Sequence, residues 1–535
     1  MLDELRLLIR LARRLPAFLR EPVTLEQAEN TIRESLARRE ESFLRLLDEC
    51  VYRVQASPYR WLLRRAGITR EEVRSLIRRH GLEGALNILL DAGVYLTLDE
   101  FKGRVPIRRG RDEFPCGPHA CDNAAGELRV ATSGSTGARR RLVVDLDYLR
   151  YESAGFLVFA TAAGWQASRG ALWFPVPPGS AGIKRALMAA RVGLPFERWF
   201  SQVRYRPWWP DSKSWTVTTL ALATARLTRR GLPRPEFVPL DSASVVARWI
   251  AEVRGAGDNC HLETSVSGGL RVVRAAREEG LDIAGAFFRV GGEPLTDARA
   301  AVFRDAGCRV VCHYAIAETG PIGLGCLDGR VSDDTHLSAG KLAIVQREGV
   351  PGVRAPRGVA PLFVTSLLPI APKILINVEL GDTAVLETRR CSCRLGELGL
   401  HLHLHHIRSY EKLTAAGMHF LGSALLRLIE EVLPARFGGG ADDYQLAEVD
   451  PSGPARVQLR IHPRLGPVDE VAVRTLVLHE LGRGTPADRM MAELWRQAGV
   501  LEIARRPPEA SGAKILPLRF RENARAGSGS LDGQR

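Results

Sequence analysis

Between residues 111 and 405 short β-prone runs alternate with helical ones, and this alternation constrains the fold more than any other feature of the chain. Leu142-Val143-Val144 precedes a helical stretch near 147 to 162. Ala171-Leu172-Trp173-Phe174 runs into a Pro/Gly turn, and Arg309-Val310-Val311-Cys312 follows a helical stretch near 297 to 306. Strand and helix in alternation predict an α/β domain with a largely parallel sheet. Loops at the carboxyl ends of such strands are where ligands usually bind.

With 535 residues the chain exceeds one core and divides into two or three domains. Residues 1–110 read as a helical lead-in: Leu2, Leu5, Leu8, Leu11 and Leu15 keep roughly helical spacing, with arginines on the other faces. Such a basic amphipathic helix either packs on its own protein or makes a peripheral membrane contact. Thr69 is the expected N-cap ahead of Glu71 and Glu72. Residues 111–407 form the α/β core domain and 408–520 a small α+β domain. In the latter, a helix near 421 to 433 precedes the alternating runs Tyr444–Val449 and Val457–His462. Residues 521–535, polar and Gly/Ser-rich, read as a disordered tail.

The formal charge of +14 would permit nucleic-acid binding, but the arginines are spread along the chain without aromatic interleaving or a DNA-reading motif. No nucleic acid partner is therefore expected. No run approaches a transmembrane span and no signal-peptide pattern opens the chain, so the expectation is a cytoplasmic protein. Nine cysteines, unevenly spaced, do not form a disulfide framework and point to thiols, a metal site or a reactive Cys. Lysine is rare, at 102, 184, 213, 341, 373, 412 and 514.

The densest chemistry lies in Thr132-Ser133-Gly134-Ser135-Thr136-Gly137-Ala138-Arg139-Arg140, directly after the strand-like Leu128, Val130 and Ala131. Glycines let the backbone bring N–H groups close to an anion, hydroxyls add donors, and arginines add charge. The stretch is a phosphate-holding loop or an ordinary solvated turn. Its spacing is neither that of a Walker A loop nor that of a Gly-x-Ser-x-Gly elbow.

The loop resembles the Thr-Ser-Gly-Ser/Thr-Thr-Gly-x-Pro-Lys signature of the adenylate-forming ligases, with Arg139 and Arg140 at the Pro and Lys places. Five further segments follow in the family's order. Val290-Gly291-Gly292-Glu293-Pro294 is a strand-to-helix turn that resembles the segment bordering the adenine pocket. His313-Tyr314-Ala315-Ile316-Ala317-Glu318 is similar to Tyr-Gly-x-Ser/Thr-Glu, which gives Tyr314 the stacking role and Glu318 the Mg²⁺ role. Ala315 and Ala317 depart from that pattern, and Thr319 is a candidate replacement hydroxyl. Gly381-Asp382 resembles the Thr-Gly-Asp whose carboxylate holds the ribose, although an Asp after Gly is also a routine turn. Ile407-Arg408-Ser409-Tyr410-Glu411 resembles the family hinge, with Arg408 as the nucleotide-contacting arginine. Ala510-Ser511-Gly512-Ala513-Lys514-Ile515 resembles the terminal Thr-x-x-Gly-Lys-Ile and places Lys514 at the adenylation lysine. The "Pro-Tyr-Arg … Ala-Gly-Ile" passage at 58–68 is similar to the start of the phenylacetate-CoA ligase branch, to which the acyl-protein synthetases are related.

Cys326, His336, Cys391 and Cys393 offer one imidazole and three thiols, a Cys3His set that suits structural Zn²⁺. Isolated thiols, or an acyl-carrying Cys391 or Cys393, are the other readings. His401, His403 and His405 form a rival stripe that is otherwise polar strand surface. Trp173, Trp199, Trp208 and Trp209 line an acyl cavity or fill the core.

The resemblance implies ATP-dependent conversion of a carboxylic acid to acyl-AMP, then transfer to a thiol. Thr132, Ser133, Gly134, Ser135, Thr136, Gly137 and Arg140 would hold phosphates. Gly292, Glu293, Pro294, Tyr314 and Asp382 would hold the nucleoside. Lys514, Glu318 and Arg408 would carry catalysis, Lys514 by neutralising charge as the carboxylate attacks the α-phosphate. The acceptor would be CoA, carrier-protein phosphopantetheine or a partner cysteine, with an acyl-carrier protein or acyl reductase as partner. A catalytically degenerate nucleotide-binding scaffold of the same fold is the alternative.

Overall fold

Capping chemistry sets the helix boundaries of the first hundred residues. In the computed structural model, Thr24 and Thr69 each accept a hydrogen bond from the backbone N–H three residues on, while Gln27 and Glu72 reach back to the cap N–H. These two capping boxes open the helices α2 (Leu25–Ala37) and α3 (Arg70–Asp91), which follow α1 (Leu2–Arg20). The structure describes residues 2–21, 23–117, 119–123, 126–131, 141–177, 180–202, 204, 212–355, 358–409, 414–415, 418–419, 427–448, 457–483, 492, 496, 501–511, 514–515 and 518–519.

Two compact units are present, one taking in Met1–Ser133, Arg139–Glu411 and Gly512–Lys514 and the other Gly134–Ala138, Lys412–Ser511 and Ile515–Arg535. In the first, the apolar face of α1 is covered by its own protein. Leu11, Leu15, Phe18 and Leu19 are buried in the same cluster as Leu128, Leu187 and Ala221, each contributing roughly 2 kcal/mol of burial. Arg14 on the polar side donates to Glu127 and, at 2.7 Å, to Asp147. The expected membrane-contact option for this helix loses its apolar face to the core. Among the described residues no helix is long and apolar enough to cross a membrane.

The α/β expectation is met by a ten-stranded sheet. In chain order its strands are β1 (Ser168–Trp173), β2 (Arg198–Ser201), β3 (Pro235–Phe237), β4 (Asn259–Ser265), β5 (Phe287–Gly291), β6 (Arg309–Ile316), β7 (Gly320–Gly325), β8 (Thr335–Leu337), β9 (Asp382–Thr388) and β10 (Leu402–Ser409). They lie in the order β9-β10-β8-β7-β6-β5-β4-β1-β2-β3. From β6 to β3 every pairing is parallel, whereas from β6 to β9 every pairing is antiparallel. Alternation of strand and helix foretold the parallel half. The antiparallel half comes from short hairpin connections such as Ala317–Thr319, too short for a crossover.

Helices cover both faces of the parallel half, as such a sheet requires. On one face α4 (Leu146–Ala162) and α5 (Ser180–Arg191) pack with Leu172, Phe287 and Val311. On the other α6 (Ala243–Gly255), α7 (Val266–Glu278) and α8 (Asp297–Asp305) pack with Trp173, Phe288 and Cys312. Trp173 and Trp199 are fully buried and donate to the carbonyls of Val238 and Phe174, at 3.0 and 2.9 Å. Both are core residues; Trp208 and Trp209 lie outside the described residues.

In the second unit β11 (Tyr444–Glu448), β12 (Val457–Ile461), β13 (Leu501–Arg505) and β14 (Leu518–Arg519) form a sheet in the order β13-β12-β11-β14. The described part of the helix expected near 421 to 433 is a wide turn over Leu428–Val432, continued by an α-helix over Leu433–Phe437.

Candidate functional site

The carboxyl ends of β5 and β6 gather the sequence motifs of the first unit. At Gly291 a Cβ would lie 2.3 Å from the His313 carbonyl oxygen, and Gly292 has φ +77°, so both positions demand glycine. Glu293 turns inward. Its carboxylate accepts from the Ser267 N–H at 3.2 Å and from the Ser267 hydroxyl, while Arg299 donates to the Pro294 carbonyl at 2.9 Å. The Gly-Gly-Glu-Pro turn is thus clamped to the start of α7 and to α8.

On β6 the half-buried Tyr314 donates from Oη to Asp382 Oδ2 at 2.8 Å, joining two motifs 68 residues apart. Burial, then the Asp382 charge, pushes the Tyr314 phenol well above its ordinary range, so it stays a donor. Asp382 opens β9 and pairs in register with Ser409 at the end of β10. One residue back, Arg408 Nη1 reaches Asp333 Oδ2 at 2.9 Å. Asp333 also accepts the N–H groups of His406 and Ile407 at 3.0 and 2.9 Å, so Arg408 is held by a carboxylate that is itself fixed by backbone.

Glu318, in the β6–β7 connection, is buried, and Oε1 accepts from Lys102 Nζ at 2.9 Å. A buried carboxylate whose second oxygen takes no hydrogen bond among the described residues fits a divalent cation. Thr319 does not supply the hydroxyl missing at Ala317. It is fully buried, its Oγ1 lies 3.4 Å from the Gly320 carbonyl, and its own carbonyl accepts from Tyr148 and Lys341, both at 2.7 Å.

Of the phosphate-loop residues, Thr132, Ser133, Gly134, Ser135, Thr136, Gly137 and Arg140 lie outside the described residues, as does Glu411. The loop's flanks pair antiparallel, Ala131 opposite Arg141, and so hold its two ends together. The Lys514 backbone belongs to the short strand Lys514–Ile515, and its side chain lies outside the described residues.

The four expected metal ligands converge. Cys326, His336, Cys391 and Cys393 lie with their ligand atoms all within 4.8 Å of one another. Cys326 Sγ is 3.4 Å from Cys391 Sγ and 4.0 Å from Cys393 Sγ, and His336 Nε2 is 3.0 Å from Cys393 Sγ. His336 Nδ1 donates to the Leu400 carbonyl at 2.6 Å, which leaves Nε2 as the ligating nitrogen. Hydrogen bonding from Cys326, then His336, pulls the Cys393 thiol far down, while its partnership with Cys393 pushes Cys326 up. Three sulfurs and one imidazole fit tetrahedral Zn²⁺. The His401/His403/His405 stripe does not converge. His403 is buried against Asp334 at 2.7 Å and His405 faces Glu387 at 3.6 Å. His403 instead joins Cys326 and Asp334 in a second grouping.

Sequence reading missed Lys102 and Asp333, because each acts across more than 70 residues and neither belongs to a motif. The rarity of lysine was the one signal that pointed toward Lys102.

No protein-family model matches the chain, and no curated protein matches it. Among solved structures the chain is similar to 2-hydroxyisobutyryl-CoA ligase in complex with 2-HIB-AMP and CoA, at 15% identity over 90% of each chain and a TM-score of 0.44. It is also similar to O-succinylbenzoate coenzyme A synthetase from Bacillus subtilis with ATP and magnesium. There identity is 12%, over 74% of this chain and 70% of that one, with a TM-score of 0.39. With acetoacetyl-CoA synthetase from Streptomyces lividans identity is 12%, over 74% of this chain and 53% of that one, with a TM-score of 0.40. At these scores function has to be argued from the residues themselves.

Proposed function

We propose that the chain activates a carboxylic acid with ATP and transfers the acyl group to a thiol, as an adenylate-forming enzyme of the phenylacetate-CoA ligase and acyl-protein synthetase type. The observation that carries this reading is the contact of Tyr314 with Asp382, an aromatic ring and a carboxylate drawn from separate motifs to one place at the sheet's carboxyl edge. A ring there stacks on a base, and a carboxylate accepts from ribose hydroxyls.

In the first step a carboxylate oxygen of the acid attacks the α-phosphorus, the bond to the β-phosphate oxygen breaks, and pyrophosphate leaves. Lys514 neutralises the charge that develops, and Arg408, oriented by Asp333, holds the nucleotide. Thr132 to Arg140 retain the β- and γ-phosphates. Bound Mg²⁺ would supply further neutralisation of phosphate charge, with Glu318 as its carboxylate. In the second step a thiolate attacks the acyl carbonyl, the C–S bond forms, AMP leaves and the thiol proton passes to solvent. The acceptor is CoA, phosphopantetheine or a partner cysteine, and the segment 408–411 is assigned as a hinge. Cys326, His336, Cys391 and Cys393 are assigned as a structural Zn²⁺ site.

Hydroxylamine trapping across aryl, short and long acids tests the reading. Hydroxamate should form with at least one acid and fall at least 100-fold in Lys514→Ala, whereas full activity in that variant refutes the role of Lys514. ATP binding without hydroxamate from any acid would favour a noncatalytic nucleotide-binding protein, a reading supported by the Lys102–Glu318 ion pair at the cation position.

A further inference from the structure

Behind the candidate site Arg289, Arg185, Lys341 and Lys184 gather around Glu263, Glu152 and Glu318. Arg289 on β5 faces Glu263 on β4 in register, and their side chains pair at 3.2 Å. Arg185 on α5 pairs with the same glutamate. Lys341 pairs with Glu152 of α4 at 2.6 Å. Three cations thus share two carboxylates, and a fourth, Lys184, has no hydrogen bond or ion pair among the described residues although it is only 9% exposed.

An ammonium taken out of water without a partner is costly, and folded proteins tolerate it only where something else compensates. The electrostatic neighbours of Lys184 are Glu152, Glu318 and Arg185, so it adjoins both the internal pairs and the candidate catalytic carboxylate. Two more donor groups are near, since Lys184 is among the charges that act on His313. Arg289 Nε is buried and unpartnered, and His313 Nδ1 accepts from Arg289 Nη2 at 2.9 Å, which leaves the His313 Nε2–H to donate. Burial, then Arg289, keeps this imidazole neutral by pushing its pKa well below the usual range. Along β5, Arg289 lies two residues before the Gly291 turn, a depth of about 7 Å at the rise of a strand. His313 directly precedes Tyr314 on the adjacent strand.

We propose that Lys184, with Arg289 and His313, forms a buried subsite for a second anionic group on the acid substrate, so that the preferred substrate is a short dicarboxylic or otherwise doubly anionic acid. The proposal rests on the acid-activating function above and names its substrate class. The reacting carboxylate sits at the strand ends, and the distal anion satisfies the unpaired ammonium.

The test compares full-length protein with Lys184→Met on matched acids of equal length, succinate and glutarate against butyrate and valerate. Two readouts are used: hydroxamate formation with ATP, and calorimetric binding of each acid without ATP. The parent should favour the dicarboxylates by roughly 100-fold in kcat/KM, and Lys184→Met should reduce that ratio by roughly 10- to 100-fold, the range for one charge-assisted hydrogen bond. Equal use of both classes by the parent, or an unchanged ratio in the variant, overturns the subsite while leaving the acid-activating function standing. If no acid yields hydroxamate, that function fails and calorimetry decides the subsite alone. Dicarboxylate binding that Lys184→Met abolishes supports it, and no binding by the parent refutes it. Both readouts unmoved in Lys184→Met would make Lys184 purely structural and refute the subsite.

Discussion

Replacing Glu152 by glutamine isolates the cost of the buried charges. Lys341 Nζ donates to Glu152 Oε1 at 2.6 Å and to the Thr319 carbonyl at 2.7 Å, and both charged side chains are 2% exposed. Glutamine preserves shape and an acceptor but removes the countercharge. Breaking a buried pair from one side costs about 3–5 kcal/mol, because the remaining ion keeps its desolvation penalty. Proton release sets a ceiling: holding a lysine with an unfolded pKa of about 10.4 neutral at pH 7.5 costs about 4 kcal/mol. Lys341 already titrates below the ordinary lysine range, burial being the larger influence and Glu152 opposing it. With Glu152 gone the native state holds fewer protons than the unfolded chain, so the variant's stability rises with pH until the unfolded lysine titrates. Urea unfolding followed through the fluorescence of the fully buried Trp173 and Trp199 measures this. Glu152→Gln should be about 3–4 kcal/mol less stable than the parent at pH 7.5, and the gap should narrow by about 2–3 kcal/mol by pH 9.5. Glu152→Gln/Lys341→Met should recover most of the loss and shrink the pH dependence to the part left by Lys184, which Glu152 also neighbours. A single variant within about 1 kcal/mol of the parent at pH 7.5, or a gap that widens with pH, refutes the reasoning.

Two further outcomes are expected. Tyr314→Phe removes the 2.8 Å donor to Asp382 and should raise the KM for ATP roughly 5- to 10-fold with unchanged circular dichroism, whereas an unaltered KM would detach this contact from nucleotide binding. Protein purified without a histidine tag should carry about one zinc per chain by elemental analysis. Cys393→Ser should lose most of that metal and unfold at lower temperature, and a metal-free parent would reduce the cluster to packed thiols.

Local rules were the legible part of this chain. The Thr69 cap, the strand at Leu142 to Val144 and the parallel half of the sheet all follow from patterns a few residues wide. The convergence of Cys326 and His336 with Cys391 and Cys393 spans 67 residues, and spacing alone could not separate it from the histidine stripe next to it. What resolves the choice is depth: His403 turns inward to Asp334 while His405 lies near the surface of the same strand. Buried lysines were illegible for a related reason. Lys184 and Lys341 look like solvated charges in the sequence, and only the packing of α4 and α5 against the sheet takes them out of water.

Strand β6 has a parallel neighbour on one side and an antiparallel one on the other, and its register shifts between Tyr314 and Ala315. Because successive residues of a strand point to opposite faces, His313 and Tyr314 answer to different surroundings although they are adjacent in the chain. A lineage could therefore change residues on the Arg289 and His313 face, and with them the acid it accepts, while the Tyr314 face stays constant. A single-residue deletion within Arg309–Tyr314 would exchange the two faces and disturb both at once. Point substitution, not insertion or deletion, is the route by which this strand can diversify.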